Sequence, residues 1–208
     1  MSATSKTKGE TTRERILEIA ESAVLAKGFS NTSIDEIIAE AELTKSGFFY
    51  HFRDKTALAQ ALLSRSFEQD DQILGGIFER ARELSDDPLH AFLIGLKMFA
   101  ETMGDMDEAH PGCMVATVTY HDKQFNNEIR AMNRAGMIRW RSLFLSFLED
   151  IVRTYPPRTE VDIDVLADML SSTVEGGIVL SKVFNDPKVL ADQILQYRTY
   201  VRLLFLGN

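Results

Sequence analysis

The chain has 208 residues, 45% of them hydrophobic, with one cysteine and a formal net charge of −8; it can bury a real core but cannot close an internal disulfide or build a Cys-rich zinc site. The opening MSATSKTKGETT lacks the apolar run of a secretory signal, and no later apolar stretch is long and uncharged enough to span a bilayer, so a cytoplasmic protein is expected. The acidity argues at first against a nucleic-acid partner, but residues 1–60 hold eight Lys/Arg against nine Asp/Glu; only this nearly neutral part can face a polyanion without strong repulsion.

Apolar positions recur at helical spacing almost everywhere and period-two alternation is scarce, so the chain reads as all-α. A flexible arm is expected over 1–10. In the first helix Ile16, Ala20, Ala23 and Val24 share a face, and Gly28 ends it. Thr32 or Ser33 caps a second helix with Ile34, Ile37, Ile38 and Ala41 on its inner face, and Glu36 completes a capping-box spacing with Ser33. After a break at Glu42 and Leu43, Thr44 caps a short third helix through Phe52, and Asp54 caps a fourth that runs to about Leu84. Short helices joined by a tight turn give a helix-turn-helix unit over 11–57.

The rest, 58–208, reads as a larger helical domain. Asp87-Pro88 opens a helix that is apolar nearly all round (Leu89, Phe92, Leu93, Leu96, Phe99, Met103) and is therefore buried. Residues 104–112 read as a loop. A long helix follows from about Asn126 to Thr154, ended by Tyr155-Pro156-Pro157, and two more run from about Asp162 to Phe184 and Pro187 to Leu206. In the last of them Leu190, Ile194, Tyr197, Val201 and Leu204 are spaced four, three, four, three. Such a seam serves either a partner helix in the same chain or a second copy.

The stretch LTKSGFFYHFRDK, 43–55, sets polar and cationic residues against a run of aromatics. Placed in a major groove, the third helix would aim its first turn at base edges: Lys45 at guanine O6 and N7, Thr44 and Ser46 at bases or phosphates, with Gly47 allowing close backbone approach. Leu43, Phe48 and Phe52 would hold the helix from inside, while Tyr50 and His51 offer donors to the phosphate backbone. Lys55, Thr32 and Ser33 add phosphate contacts at helix starts.

These residues carry a resemblance. Arg15-Ile16-Leu17 with Ile19-Ala20, Gly28-Phe29, Thr32-Ser33-Ile34 with Ile37-Ile38, Ala41, and Leu43 to Phe48 through Tyr50-His51-Phe52, Lys55 and Leu58 resemble the DNA-binding domain of the TetR family of transcriptional regulators. Glu42 stands where that family usually has a turn glycine, so it must accept a less common backbone conformation or shift the turn. Phe49 stands where many members have a phosphate-contacting tyrosine, a task left here to Tyr50. The resemblance implies a ligand-responsive regulator, usually a repressor, that binds a palindromic operator as a homodimer through its last two helices and is released by a small-molecule effector.

For the effector, Phe92, Leu96, Phe99, Met103, Cys113, Trp140 and Phe144 could line a cavity between helices, although aromatic and methionine stripes also make ordinary cores. Glu175 is either an interface charge or a pocket carboxylate. Cys113, after His110-Pro111-Gly112, is a candidate sensor of oxidants or electrophiles, or simply a buried thiol. An enzyme with Cys113 as nucleophile and His110 or His121 as base lacks a third orienting residue. The sequence shows no phosphate loop and no metal-ligand spacing, so neither catalysis, metal nor cofactor is expected.

Overall fold

The computed structural model describes residues 7–207. Among them are nine α-helices: α1 (Lys8–Lys27), α2 (Ile34–Glu40), α3 (Lys45–His51), α4 (Lys55–Leu84), α5 (Pro88–Gly104), α6 (Met114–Tyr120), α7 (Asn127–Thr154), α8 (Ile163–Phe184) and α9 (Lys188–Phe205), with a 3-10 turn at Asp122–Gln124 before α7. No helix among the described residues is long and apolar enough to cross a membrane. Compactness divides the chain into one unit of Met1–Ser66 with Cys113–Asn133 and another of Phe67–Gly112 with Arg134–Asn208. α4 runs unbroken through 57/58, the boundary expected from sequence, and α6 groups with the N-terminal helices.

In the first unit, α1 starts inside the expected arm. Thr7 and Glu10 form a full capping box, Thr7 Oγ1 accepting the Glu10 N–H while Glu10 accepts the Thr7 N–H at 2.7 Å, so residues 8–10 are helical; residues 1–6 of that arm lie outside the described part. Gly28 ends α1 with φ +83°, a conformation open to glycine at little cost. Ser33, not Thr32, caps α2 by accepting the Glu36 N–H at 3.1 Å. The returning half of the expected box is replaced by a Glu36–Lys27 ion pair. Thr44 caps α3 through the Gly47 N–H, and Asp54 caps α4 through the Ala57 N–H at 2.7 Å.

Ile16, Leu17, Ala20 and Val24 of α1 are buried, as are Ile37, Phe48, Phe52, Leu58 and Leu62. Phe48 is wholly buried, and burying such a ring stabilises the unit by about 1.5–3 kcal/mol. α6 is too short, and too rich in β-branched and small residues, for helical periodicity to reveal it; a thiol stands at its N-cap. It packs on α1. The segment after it closes onto the same unit, with Phe125 5.0 Å from the Phe29 ring and Gln124 hydrogen-bonded to Ser30. Asn133, buried, donates to the Val115 carbonyl and to Thr119 at 3.0 Å, tying the start of α7 to α6.

In the second unit α9 packs against α5 and α8. The seam Leu190, Ile194, Tyr197, Val201 and Leu204 is entirely buried within the chain, so its heptad-like spacing serves intramolecular packing and not a second copy. Gly177 makes the close approach of α8 to α9 possible: a Cβ there would lie 2.7 Å from Leu190 Cδ1 and 3.2 Å from its Cα. Tyr197 donates its hydroxyl to the Leu166 carbonyl at 2.9 Å, and burial pushes its ionisation well above the usual phenol range. Phe78, Phe92, Phe144 and Phe147 form an aromatic cluster with centroids 5.2 to 5.8 Å apart.

Candidate nucleic-acid interface

The turn between α2 and α3 is short because Glu42 adopts the left-handed region, φ +53°. This is the conformation the turn demands, met here by a residue with a Cβ; Arg15 faces its carboxylate at 3.3 Å. The consequence is that α3 presents its first turn outward. Thr44, Lys45 and Ser46 are exposed and Gly47 is half-exposed, with the Thr44 and Ser46 hydroxyls 3.1 Å apart. One turn on, Tyr50 is 83% exposed and stacks edge-on with half-buried His51. Phe49 is partly exposed beside them, while Phe48 and Phe52 point into the core.

The remaining expected contacts divide. Ser33 is exposed at the start of α2, with its oxygen already accepting the Glu36 N–H. Thr32 is buried and its hydroxyl donates to the Gly28 carbonyl at 3.0 Å, so it braces the end of α1 and is not presented to a phosphate. Lys55 is half-buried with its ammonium 4.7 Å above the Phe29 ring, and desolvation lowers its pKa from the usual lysine value. Lys45 lies 3.7 Å from Asp35 on α2. Asp35 was not expected from sequence; the only signal was an acid in the first turn of the preceding helix, which capping preference explains equally well.

The expected effector residues lie in different settings. Phe92, Leu96, Phe99 and Phe144 are buried, and Phe92 and Phe144 belong to the aromatic cluster. Met103 and Glu175 are half-buried. Trp140 stands edge-on to Phe144, 6.4 Å between centroids, and its indole nitrogen is buried without a hydrogen-bond partner. Cys113 belongs to the other unit, capping α6 with its sulfur as acceptor of the Ala116 N–H at 3.5 Å. A cleft of about 380 Å³ in the second unit is lined by α7 and α8, including Arg134, Ile138, Arg141, Asp168 and Ser171; it contains none of the expected effector residues.

An exposed, hydroxyl- and lysine-bearing helix start held on a three-helix core by buried aromatics is a helix-turn-helix DNA-binding head. Residues 16–62 match the model of "Bacterial regulatory proteins, tetR family", so this segment carries that family's DNA-binding domain, and the chain is similar to its transcriptional regulators. It is 23% identical over 183 residues to the transcriptional repressor DhaR of Mycobacterium sp. (strain GP1), covering 88% of each chain. It is 27% identical to the regulator TtgR of Pseudomonas putida, over 82% of this chain and 80% of that one. Among solved structures, a TetR transcriptional regulator from Chloroflexus aurantiacus J-10-FL superposes with TM-score 0.73 at 25% identity, over 95% of this chain and 98% of that one. The reduced form of Escherichia coli NemR superposes with TM-score 0.74 at 18% identity, over 95% and 98%.

Proposed function

We propose that the chain is a ligand-responsive repressor that binds a palindromic operator as a homodimer and is released by a small-molecule effector. The observation that carries the reading is the exposed first turn of α3, with Thr44, Lys45 and Ser46 outward and Phe48 locked beneath. In this geometry Lys45 reads bases, Thr44, Ser46, Tyr50 and His51 position the helix, and Gly47 lets the backbone approach. The head, 11–57, is the reader, and 58–208 carries effector binding and dimerisation.

Dimerisation is supported by what α8 leaves exposed. Val165, Met169, Val179 and Val183 follow one another at helical spacing on its outer face, with Phe184 beside them, an apolar stripe that a monomer leaves wet. A second copy along α8 and α9 would cover it and set two heads on half-sites about 34–36 Å apart. An effector in the second unit, near Trp140 and Glu175, would favour a different spacing; a coupling of about 1–3 kcal/mol weakens operator binding roughly 5–150-fold. The chain crosses between the two units at 66/67, 112/113 and 133/134; α4, which contains the first of these crossings, is the lever of this reading.

A second trigger is oxidation or alkylation of the Cys113 thiol, whose sulfur accepts the Ala116 N–H at the start of α6. Operator affinity after treatment with peroxide or an electrophile tests it: unchanged affinity removes Cys113 as a sensor.

Gel shift of the full chain on the DNA upstream of its own gene, at several salt concentrations, tests the main reading. A saturable, sequence-selective complex with two chains per site is expected. Binding that salt abolishes equally on all sequences would refute it.

A further inference from the structure

Asp35 and Lys45 join the first turn of α2 to the first residue of α3. Their Oδ1 and Nζ are 3.7 Å apart and their side chains are 83% and 70% exposed. Neighbouring acids are engaged elsewhere, Glu36 with Lys27 and Glu42 with Arg15. Whatever DNA edge Lys45 reaches, the Asp35 carboxylate reaches with it. Alone, a carboxylate there would be repelled by the phosphates; beside an ammonium it is neutralised and can serve as an acceptor.

A G·C pair shows the complement of that couple in the major groove: N7 and O6 acceptors on guanine beside the N4 donor on cytosine. O6 and N4 are hydrogen-bonded to each other, about 3 Å apart, a spacing the Lys45–Asp35 pair nearly matches. An A·T pair offers the ammonium one acceptor fewer and sets thymine O4, a second acceptor, against the carboxylate.

We infer that Asp35 is a specificity-determining residue: together with Lys45 it reads one G·C pair of each half-site, Lys45 donating to guanine and Asp35 accepting from the cytosine N4 amino group. The inference rests on Lys45 as a base contact.

The test uses duplexes selected by the full chain from a randomised pool, resynthesised with N4-methylcytosine, which replaces the major-groove hydrogen of N4, or with 7-deazaguanine, which removes N7. At one cytosine per half-site, N4-methylation is expected to weaken wild-type binding about fivefold, the low end of single-base discrimination, and to leave Asp35→Ala unaffected. At its paired guanine, the deaza substitution weakens wild type and spares Lys45→Ala. Asp35→Ala also accepts A·T at that step, and Asp35→Asn, which keeps an acceptor, falls between the two. Equal losses for wild type and Asp35→Ala at every methylated cytosine, with the Lys45 signature intact, overturn the role of Asp35 alone. A missing Lys45 signature overturns the base contact and this inference with it, and failure to select any sequence overturns the operator reading as well.

Discussion

Arg15 of α1 and Glu42 of the α2–α3 turn face each other at 3.3 Å, and Glu42 holds its place with φ +53°. The left-handed conformation costs a residue with a Cβ about 1–2 kcal/mol, whereas an exposed ion pair returns about 0–1 kcal/mol. Glu42→Gly is therefore expected to stabilise the chain by about 1 kcal/mol despite the looser unfolded state. Urea denaturation monitored by circular dichroism measures this; a loss of stability would mean that the Arg15 contact outweighs the backbone strain.

Arg65, mostly buried on α4, gathers three carboxylates of α1: Glu14 at 3.4 Å, Glu18 at 3.7 Å and Glu21 at 3.6 Å. Burial raises the pKa of Glu21 above the usual carboxylate value, Arg65 lowers it and Glu18 raises it again. Arg65→Met keeps the stem and leaves three neighbouring acids unneutralised, so it should cost about 2 kcal/mol at pH 7, below the cost of breaking a fully buried pair. The sign with pH follows: because Glu21 binds its proton more tightly folded than unfolded, its contribution opposes folding as pH rises through its folded pKa, and more so without Arg65. The gap between variant and wild type should therefore narrow as pH falls towards about 4, near the ordinary carboxylate pKa. A gap independent of pH would assign the loss to packing.

How far the fold and the head were legible in the sequence depends on locality. Caps, turns and inner faces of α1 to α4 are short-range, and Thr44, Asp54 and Phe48 could be read from spacing alone, while for the α2 cap spacing left Thr32 or Ser33 open. Thr32 could not, because its burial depends on the chain reversal at Gly28 that aims its hydroxyl at a carbonyl. The Leu190 to Leu204 seam showed that α9 has a partner without saying which; periodicity is identical for an inner and an outer partner. The true candidate for an outer face, Val165 to Val183, interleaves with the buried Leu166, Leu170 and Val174, so α8 reads as apolar on most sides. The Lys45–Asp35 pair joins different helices and has no period to reveal it.

Lys45 and Lys55 are both cations near the head, in different settings. Lys45 extends into solvent and Lys55 covers Phe29. Lys45→Ala should change which sequences are selected. Lys55→Met should weaken binding to all duplexes alike and reduce the salt slope by about 0.9, one phosphate contact, with stability nearly kept by the apolar stem. An unchanged slope would make Lys55 a packing cation with no phosphate contact.

The outer face of α8 gives the dimer prediction. Val183 is 70% exposed and Val179 49%, so Val179→Glu with Val183→Glu adds no buried charge to a monomer but sets like charges against each other in a dimer. Light scattering coupled to size exclusion should show the variant as a folded monomer, with operator affinity lost because single heads no longer act together. A variant that stays dimeric would place the interface elsewhere.

Trp140 is the sole tryptophan of the chain, and its buried indole N–H lacks an acceptor. An unsatisfied buried donor costs about 1–3 kcal/mol, whereas truncating a large core aromatic usually destabilises by a similar amount or more. Trp140→Phe removes the donor and keeps a ring against Phe144, so the two effects oppose, and the variant should lie within about 1 kcal/mol of wild type. An effector that offers an acceptor to that N–H would shift the emission of wild type, with no other tryptophan to obscure it, and would bind Trp140→Phe less tightly. A screen of small molecules by tryptophan fluorescence, with hits carried into the gel shift, checks both. Hits that release the operator from wild type and variant at the same concentration would show that Trp140 takes no part in effector binding.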